Sequence, residues 1–187
     1  HLLQGKTPDL VVSGINLAPN TSLPIPLLSG TVGGALEGAL WGIPSIAFSK
    51  RIDRELLPLA KLNGGQNLSP QTEDSLVQAA RRSVDIARDW LHQTQERPQI
   101  PARFLNVNFP TLTQKNTPLR HTRLARARMA SCFEPESPGS PFYHYRSPQV
   151  VGLGEDPQSD SGCLRQGWIS LSELDWGALS QPQELGV

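Results

Sequence analysis

The sequence predicts an α/β fold built on a parallel sheet, and three features carry that prediction. Asp9-Leu10-Val11-Val12, after Pro8, is a short β-rich apolar run that ends in the polar Ser13-Gly14-Ile15-Asn16. Ser29-Gly30-Thr31 then opens a stretch of small and apolar residues, Val32-Gly33-Gly34-Ala35-Leu36-Glu37-Gly38-Ala39-Leu40, which reads as a loop entering a helix. Gly42-Ile43-Pro44 ends that helix, and Ser45-Ile46-Ala47-Phe48-Ser49 reads as a second strand. Strand, helix and strand with short connections make a βαβ unit with a right-handed crossover.

Each element has its own justification. Near-continuous apolarity over 9–12 suits a strand buried on both faces of a parallel sheet. Residues 17–28, with Pro19, Asn20, Pro24 and Pro26, read as a loop. The helix spans about 31–41, capped by Ser29 or Thr31, and Gly33, Gly34, Ala35, Gly38 and Ala39 let it approach the sheet closely. Residues 50–70 are mixed and contain the turn signal Asn63-Gly64-Gly65. A long helix is expected over 71–95, where Leu76, Ala80, Val84, Ala87 and Leu91 recur at three- and four-residue steps. Its Arg81, Arg82, Asp85, Arg88 and Asp89 then face water. Phe104–Pro110 is a third strand whose Asn106 and Asn108 share one face. Residues 118–131 carry Arg120, Arg123, Arg126 and Arg128, as an arginine-alternating strand or a basic surface patch. Residues 133–160, rich in Pro, Gly and Ser with Phe142, Tyr143 and Tyr145, read as a hairpin or arm. Gln166–Leu171 is the last strand candidate.

Composition narrows the function classes. Seventeen basic and 17 acidic residues in 187 leave no net charge, so no global field draws a nucleic-acid polymer or an anionic membrane. No apolar run approaches the roughly 18 residues of a membrane span, and no signal peptide is visible, so a cytoplasmic protein is expected. Cys132 and Cys163 have no metal-ligand spacing and are expected to be free thiols. The chain opens with His1 and enters a strand almost at once, which suggests that N-terminal sequence is missing.

The candidate chemistry gathers at the carboxyl end of the first strand, where open α/β sheets bind ligands. Asn16 has an amide oxygen able to ligate a hard divalent cation and a nitrogen able to donate to phosphate; it is equally a residue that bonds its own turn. Asn20 offers the same two readings. Ser29-Gly30-Thr31 supplies hydroxyls and helix N-terminal amides for an anion, or an ordinary cap. There is no Gly-Lys-Ser/Thr phosphate loop, no Gly-x-Gly-x-x-Gly and no Gly-x-Ser-x-Gly. His1, His92, His121 and His144 are scattered as surface residues would be. No carboxylate pair stands at a strand end, so Asn16 alone falls short of a metal site.

These residues together closely resemble the SurE family of survival proteins, which are metal-dependent 5′/3′-nucleotidases. The resemblance rests on Pro8-Asp9-Leu10-Val11-Val12-Ser13-Gly14-Ile15-Asn16, Pro19-Asn20, Ser29-Gly30-Thr31-Val32, Glu37-Gly38 and Gly42-Ile43-Pro44-Ser45-Ile46-Ala47. Weaker echoes are Leu105-Asn106-Val107-Asn108-Phe109-Pro110, Ser137–Tyr143, and Ser159-Asp160 with Gln166-Gly167-Trp168-Ile169-Ser170. The resemblance implies a Rossmann-like three-layer α/β sandwich with a C-terminal β-hairpin arm. Residues 1–115 would be the phosphatase core, lacking its first strands. Residues 116–187 would be an extension with the hairpin, an oligomerisation arm and a final strand.

It also implies an acid-phosphatase-like phosphomonoesterase acting on nucleoside 5′- or 3′-monophosphates with Mg²⁺ or Mn²⁺, assembled as a homodimer or homotetramer through the arm. Asn16 would be a metal ligand; Asn20, Ser29, Gly30 and Thr31 would bind the phosphate. The family's Asp-Asp pair and serine ligand would lie in about 80 residues before His1, so these 187 residues alone would be inactive. Ala18, Ser22 and Leu28 stand where the family usually has Gly, Gly and often Tyr, and Leu171-Ser172-Glu173-Leu174 replaces its usual Thr-Pro-Leu. Those departures motivate the alternative of a non-catalytic relative that binds a nucleotide or a partner.

Overall fold

A computed structural model of the chain describes residues 5–53, 56, 68–95, 102–146, 150–151 and 156–180. Its five-stranded sheet has the order β1-β2-β3-β9-β4, formed by Val11–Asn16 (β1), Ser45–Lys50 (β2), Arg103–Phe109 (β3), Ile169–Asp175 (β9) and Leu119–His121 (β4). β1, β2 and β3 run parallel, β9 is antiparallel to β3, and β4 is parallel to β9. Helices Pro24–Leu28 (α1) and Gly30–Leu40 (α2) lie between β1 and β2; Pro70–Gln95 (α3) precedes β3 and Asp160–Arg165 (α4) precedes β9. The expected fold class is therefore present, with an antiparallel strand inside the sheet. β4 and β9 come from beyond residue 115, so the stretch expected to be an extension also completes the sheet.

The two sheet faces differ in character. On the α3 side, Ile46, Phe48, Leu105, Val107, Phe109, Ile169 and Leu171 pack with Ala79 and Ile86. On the α2 side, Ala47, Phe104 and Leu174 pack with Val32, Ala35 and Ala39, but Ser49, Asn106, Asn108, Ser170 and Ser172 on that face are buried as well. The apolar halves hold the layers together, each fully buried large side chain contributing about 1.5–3 kcal/mol before entropy. The polar half of the second face becomes the floor of the site.

Several expectations shift. β1 is an edge strand among the described residues, and Val12 is 51% exposed, so β1 is not buried on both faces. Asn16 is its last residue rather than a loop residue. Residues 24–28 form a short helix where a loop was expected, with Pro24 in the first turn, where no backbone N–H donor is needed. In α3 the buried residues are Ser75, Ala79, Ser83 and Ile86, each one position before the expected Leu76, Ala80, Val84 and Ala87, and Val84 is 58% exposed. The helix is thus turned by one residue, which sets its small side chains against the sheet and directs Ser75 inward. The last strand runs on to Asp175, carrying Glu173 to an ion pair with Arg103. The turn expected at 63–65 and His1 lie outside the described residues.

The hairpin is present as Phe133–Pro135 (β6) against Tyr143–Tyr145 (β7), separate from the two-stranded pair of Arg128–Met129 (β5) and Val150–Val151 (β8). Phe133, Phe142, Tyr143 and Tyr145 are 58–69% exposed. Arg120, Arg123, Arg126 and Arg128 are all exposed, on β4, β5 and the segment between them. Cys132 and Cys163 are free thiols.

Candidate active site

The three parallel strands deliver Asn16, Ser49 and Asn108 to one edge of the sheet, and the register places Asn16 beside Ser49 and Ser49 beside Asn108. Gly14 makes the last turn of β1 possible. Its φ is +112°, and a Cβ there would collide with the Phe48 carbonyl oxygen.

α2 lies close over β1 and runs against it. A Cβ on Gly38 would sit 2.7 Å from Val11 Cγ2, and one on Gly34 would sit 2.9 Å from Ser13 Oγ. Four helix residues and two strand residues both advance about 6 Å. The two contacts run in opposite order along helix and strand, so α2 is directed with its N-terminus toward the carboxyl end of β1. The α2 N-terminus therefore faces the same edge as Asn16.

That N-terminus is capped by Ser29, whose Oγ accepts from the Val32 amide at 3.2 Å. Of the two expected caps, Ser29 is the one used. Among the described residues no backbone carbonyl accepts from the Gly30 or Thr31 amide, and a Cβ added at Gly30 would meet nothing within 4 Å. No acidic residue occupies the first turn of α2. The helix start is thus open, electropositive and equipped with free donors, the arrangement that suits an anion.

The loop after β1 is tied down across the sheet. The Asn20 amide donates to Asn108 Oδ1 at 2.7 Å, and the Asn20 carbonyl accepts from Asn106 Nδ2 at 2.8 Å and Asn108 Nδ2 at 3.3 Å. Asn20 Nδ2 donates to Ser49 Oγ at 2.7 Å, and the residue is 4% exposed. Asn20 thus positions the loop, with one hydrogen of its amide nitrogen given to Ser49 Oγ and a second donor remaining for the phosphate-binding role expected of it.

Sequence reasoning missed a second anchor. Asp160 is fully buried; Oδ2 accepts from the Ser22 amide at 2.8 Å, and Oδ1 accepts from Ala125 at 2.9 Å and Ser161 at 2.6 Å. Burial raises its pKa, and the amides of Ser22, Ala125 and Ser161 oppose that rise. The carboxylate holds Ser22 at φ +71°, a conformation a non-glycine residue keeps only when its surroundings fix it. The one sequence signal was Ser159-Asp160 as a weak family echo, which assigned the carboxylate no role.

Asn16 is half-buried and donates from Nδ2 to the Ala18 carbonyl at 2.8 Å. That is the turn-type bond its residue type favours, and it leaves Oδ1 without a donor among the described residues. Oδ1 fits one position in a hard-cation shell. A whole shell is not provided, since the described residues contain no group of three or more His, Cys, Asp or Glu that could hold a metal ion. His92, His121 and His144 are all exposed.

The chain is similar to known proteins in sequence and in fold. The family model described as Survival protein SurE matches residues 1–131. The 5′-nucleotidase SurE 1 of Thermus thermophilus is 37% identical over 179 residues, which cover 93% of this chain and 59% of that protein. The 5′-nucleotidase SurE of Desulfatibacillum aliphaticivorans is 32% identical over 192 residues, covering 99% of this chain and 67% of that protein. The crystal structure of the SurE protein from Aquifex aeolicus superposes with a TM-score of 0.61 at 30% identity, over 93% of this chain and 62% of that one. The chain thus spans about 60% of the length of relatives it matches.

Proposed function

Because the chain belongs to the SurE family, we propose that it forms the larger part of a nucleotidase that removes phosphate from nucleoside 5′- or 3′-monophosphates, as a cytoplasmic metal-dependent phosphomonoesterase. The observation that carries this reading is the open N-terminus of α2, which is directed toward the edge of the sheet where β1 ends in Asn16. Among the described residues no helix is long and apolar enough to cross a membrane, which is compatible with that setting.

The residues of this chain take distinct parts. The free amides of Gly30 and Thr31, with the Thr31 hydroxyl, receive the phosphate and the charge that develops on it. Ser29 keeps those amides in place through its bond to Val32. Asn20, Asn106, Asn108 and Asp160 hold the loop against the sheet, so the anion site is rigid before substrate arrives. Asn16 Oδ1 would hold one position on Mg²⁺ or Mn²⁺, and carboxylates would be needed to complete the shell. The chemistry supplied there by a bound divalent cation would be polarisation of the phosphoryl group and activation of a water. The exposed aromatic hairpin is the proposed contact between copies in a homodimer or homotetramer.

The test is release of inorganic phosphate from nucleoside monophosphates by the natural full-length protein, with and without Mn²⁺. Metal-dependent release supports the reading. Tight nucleotide binding without release supports the non-catalytic alternative, which the changes at Ala18, Ser22 and Leu28 motivate.

A further inference from the structure

Lys50 ends β2 with its side chain pointing away from the candidate site, toward α3, and it is 1% exposed. Nζ stands within hydrogen-bond distance of four oxygens and shares its three N–H donors among them: Ser75 Oγ at 2.9 Å, the Pro110 carbonyl at 2.9 Å, the Thr111 carbonyl at 3.1 Å and Thr113 Oγ1 at 3.2 Å. Among the described residues no carboxylate pairs with it, and burial alone accounts for its lowered pKa of about 8, which leaves it charged at pH 7.

The hydroxyl orientations give this cluster its meaning. Ser75 Oγ donates its proton to the Thr111 carbonyl at 3.1 Å and accepts the Thr113 amide at 2.8 Å. Thr113 Oγ1 donates to the Pro110 carbonyl at 3.2 Å. Both hydroxyl protons are therefore spent on the carbonyls, and all four oxygens present lone pairs toward Nζ. Such a cage accepts and cannot donate, so a cation or a group rich in N–H donors suits it. Its oxygens are neutral and stand at 2.9–3.2 Å. Mg²⁺ and Ca²⁺ take oxygens at about 2.0–2.1 and 2.3–2.6 Å and favour carboxylates. Uncharged carbonyl oxygens that replace a hydration shell are the chemistry of larger monovalent cations.

We propose that Lys50 Nζ is the tethered occupant of a monovalent-cation cage, which locks the ends of β2 and β3 to the first turns of α3, and that removal of the side chain opens the cage to free ammonium, primary alkylammonium or potassium ions. Lys50 is a positioning residue in this account. The locked turn at 110–113 follows Asn108, which holds Asn20, and Lys50 follows Ser49, which does the same. The cage is independent of the nucleotidase reading and would stand if that reading failed.

The experiment is thermal melting of Lys50→Ala at pH 7 in matched concentrations of lithium, potassium, ammonium, propylammonium and tetramethylammonium chloride, beside the wild type. In lithium chloride the midpoint falls by about 5–10 °C. Propylammonium, ammonium or potassium recovers at least half of that loss, while tetramethylammonium, which has no N–H and is too large, recovers none. Equal midpoints in all five salts would overturn the proposal, because a mere cavity or lost packing has no preference among cations. Lys50→Met fills the volume and guards against an alanine variant that does not fold: a midpoint below wild type in every salt supports the cage, and one equal to or above wild type overturns it.

Discussion

The Asn20 amide and Asn108 Oδ1 meet at 2.7 Å across 88 residues of sequence, and the Asn20 carbonyl accepts from Asn108 Nδ2 at 3.3 Å in return. This two-way bond fixes the loop after β1 onto the end of β3. Removing the Asn108 side chain leaves the buried Asn20 N–H unpaired, which costs about 1–3 kcal/mol. Asn108→Ala should lower the urea midpoint accordingly. Asn108→Asp should be at least as damaging, since it keeps the acceptor but loses the donor and buries a charge. Unchanged midpoints for both would show that the loop is held by something else.

The Asn106/Asn108 pair also shows what the sequence made legible. Alternation in a strand put both amides on one face, and the small residues of 33–39 announced a helix packed closely on the sheet. These are local patterns. The partners of the amides were not legible, because nothing near residue 106 points to the backbone of residue 20. Asp160 is 138 residues from Ser22, and the Lys50 cage draws on residues 75, 110, 111 and 113. The one-residue turn of α3 was hidden for a related reason. Periodicity ranked Leu76 and Val84 as core, whereas the Lys50 ammonium draws Ser75 inward and the small Ala79 and Ser83 allow close approach.

Gly14 tests the geometry of the β1 end. Ala at that position requires a positive φ and drives its Cβ into the Phe48 carbonyl oxygen, which backbone movement alone can relieve. Gly14→Ala should destabilise the fold by about 2–4 kcal/mol. In the same variant, amide NMR shifts at Ser49 and Asn16 should move, because β1 and β2 separate there. A variant as stable as wild type with unmoved shifts would contradict this account of the strand end.

Lys50 gives the chain a pH dependence with a definite sign. Its pKa is about 8 when folded and 10.5 as the ordinary value. Between those two values the unfolded chain binds more protons than the folded chain, so unfolding free energy rises with pH across that window. Below about pH 8 both states carry the proton and the cost of burying the charge is fully present. The difference in stability between wild type and Lys50→Met should therefore shift in favour of wild type from pH 8 to pH 10.5, and stay flat from pH 6 to pH 7. Urea melts of the two proteins at each pH read it directly; parallel curves throughout would show that Lys50 titrates normally.

Asn16 carries the central claim, that the carboxyl edge of β1 is one wall of a metal-dependent phosphatase site. The most direct measurement is phosphate release from a nucleoside monophosphate by the natural full-length protein and its Asn16→Ala variant, each titrated with Mn²⁺. The account predicts metal-dependent release by the wild type. It predicts that the variant loses at least about tenfold in kcat/KM, equivalent to about 1.4 kcal/mol of transition-state stabilisation, and needs more Mn²⁺ for half-maximal rate, with its melting midpoint little changed. Release that is unaffected by Asn16→Ala at every Mn²⁺ concentration would contradict it.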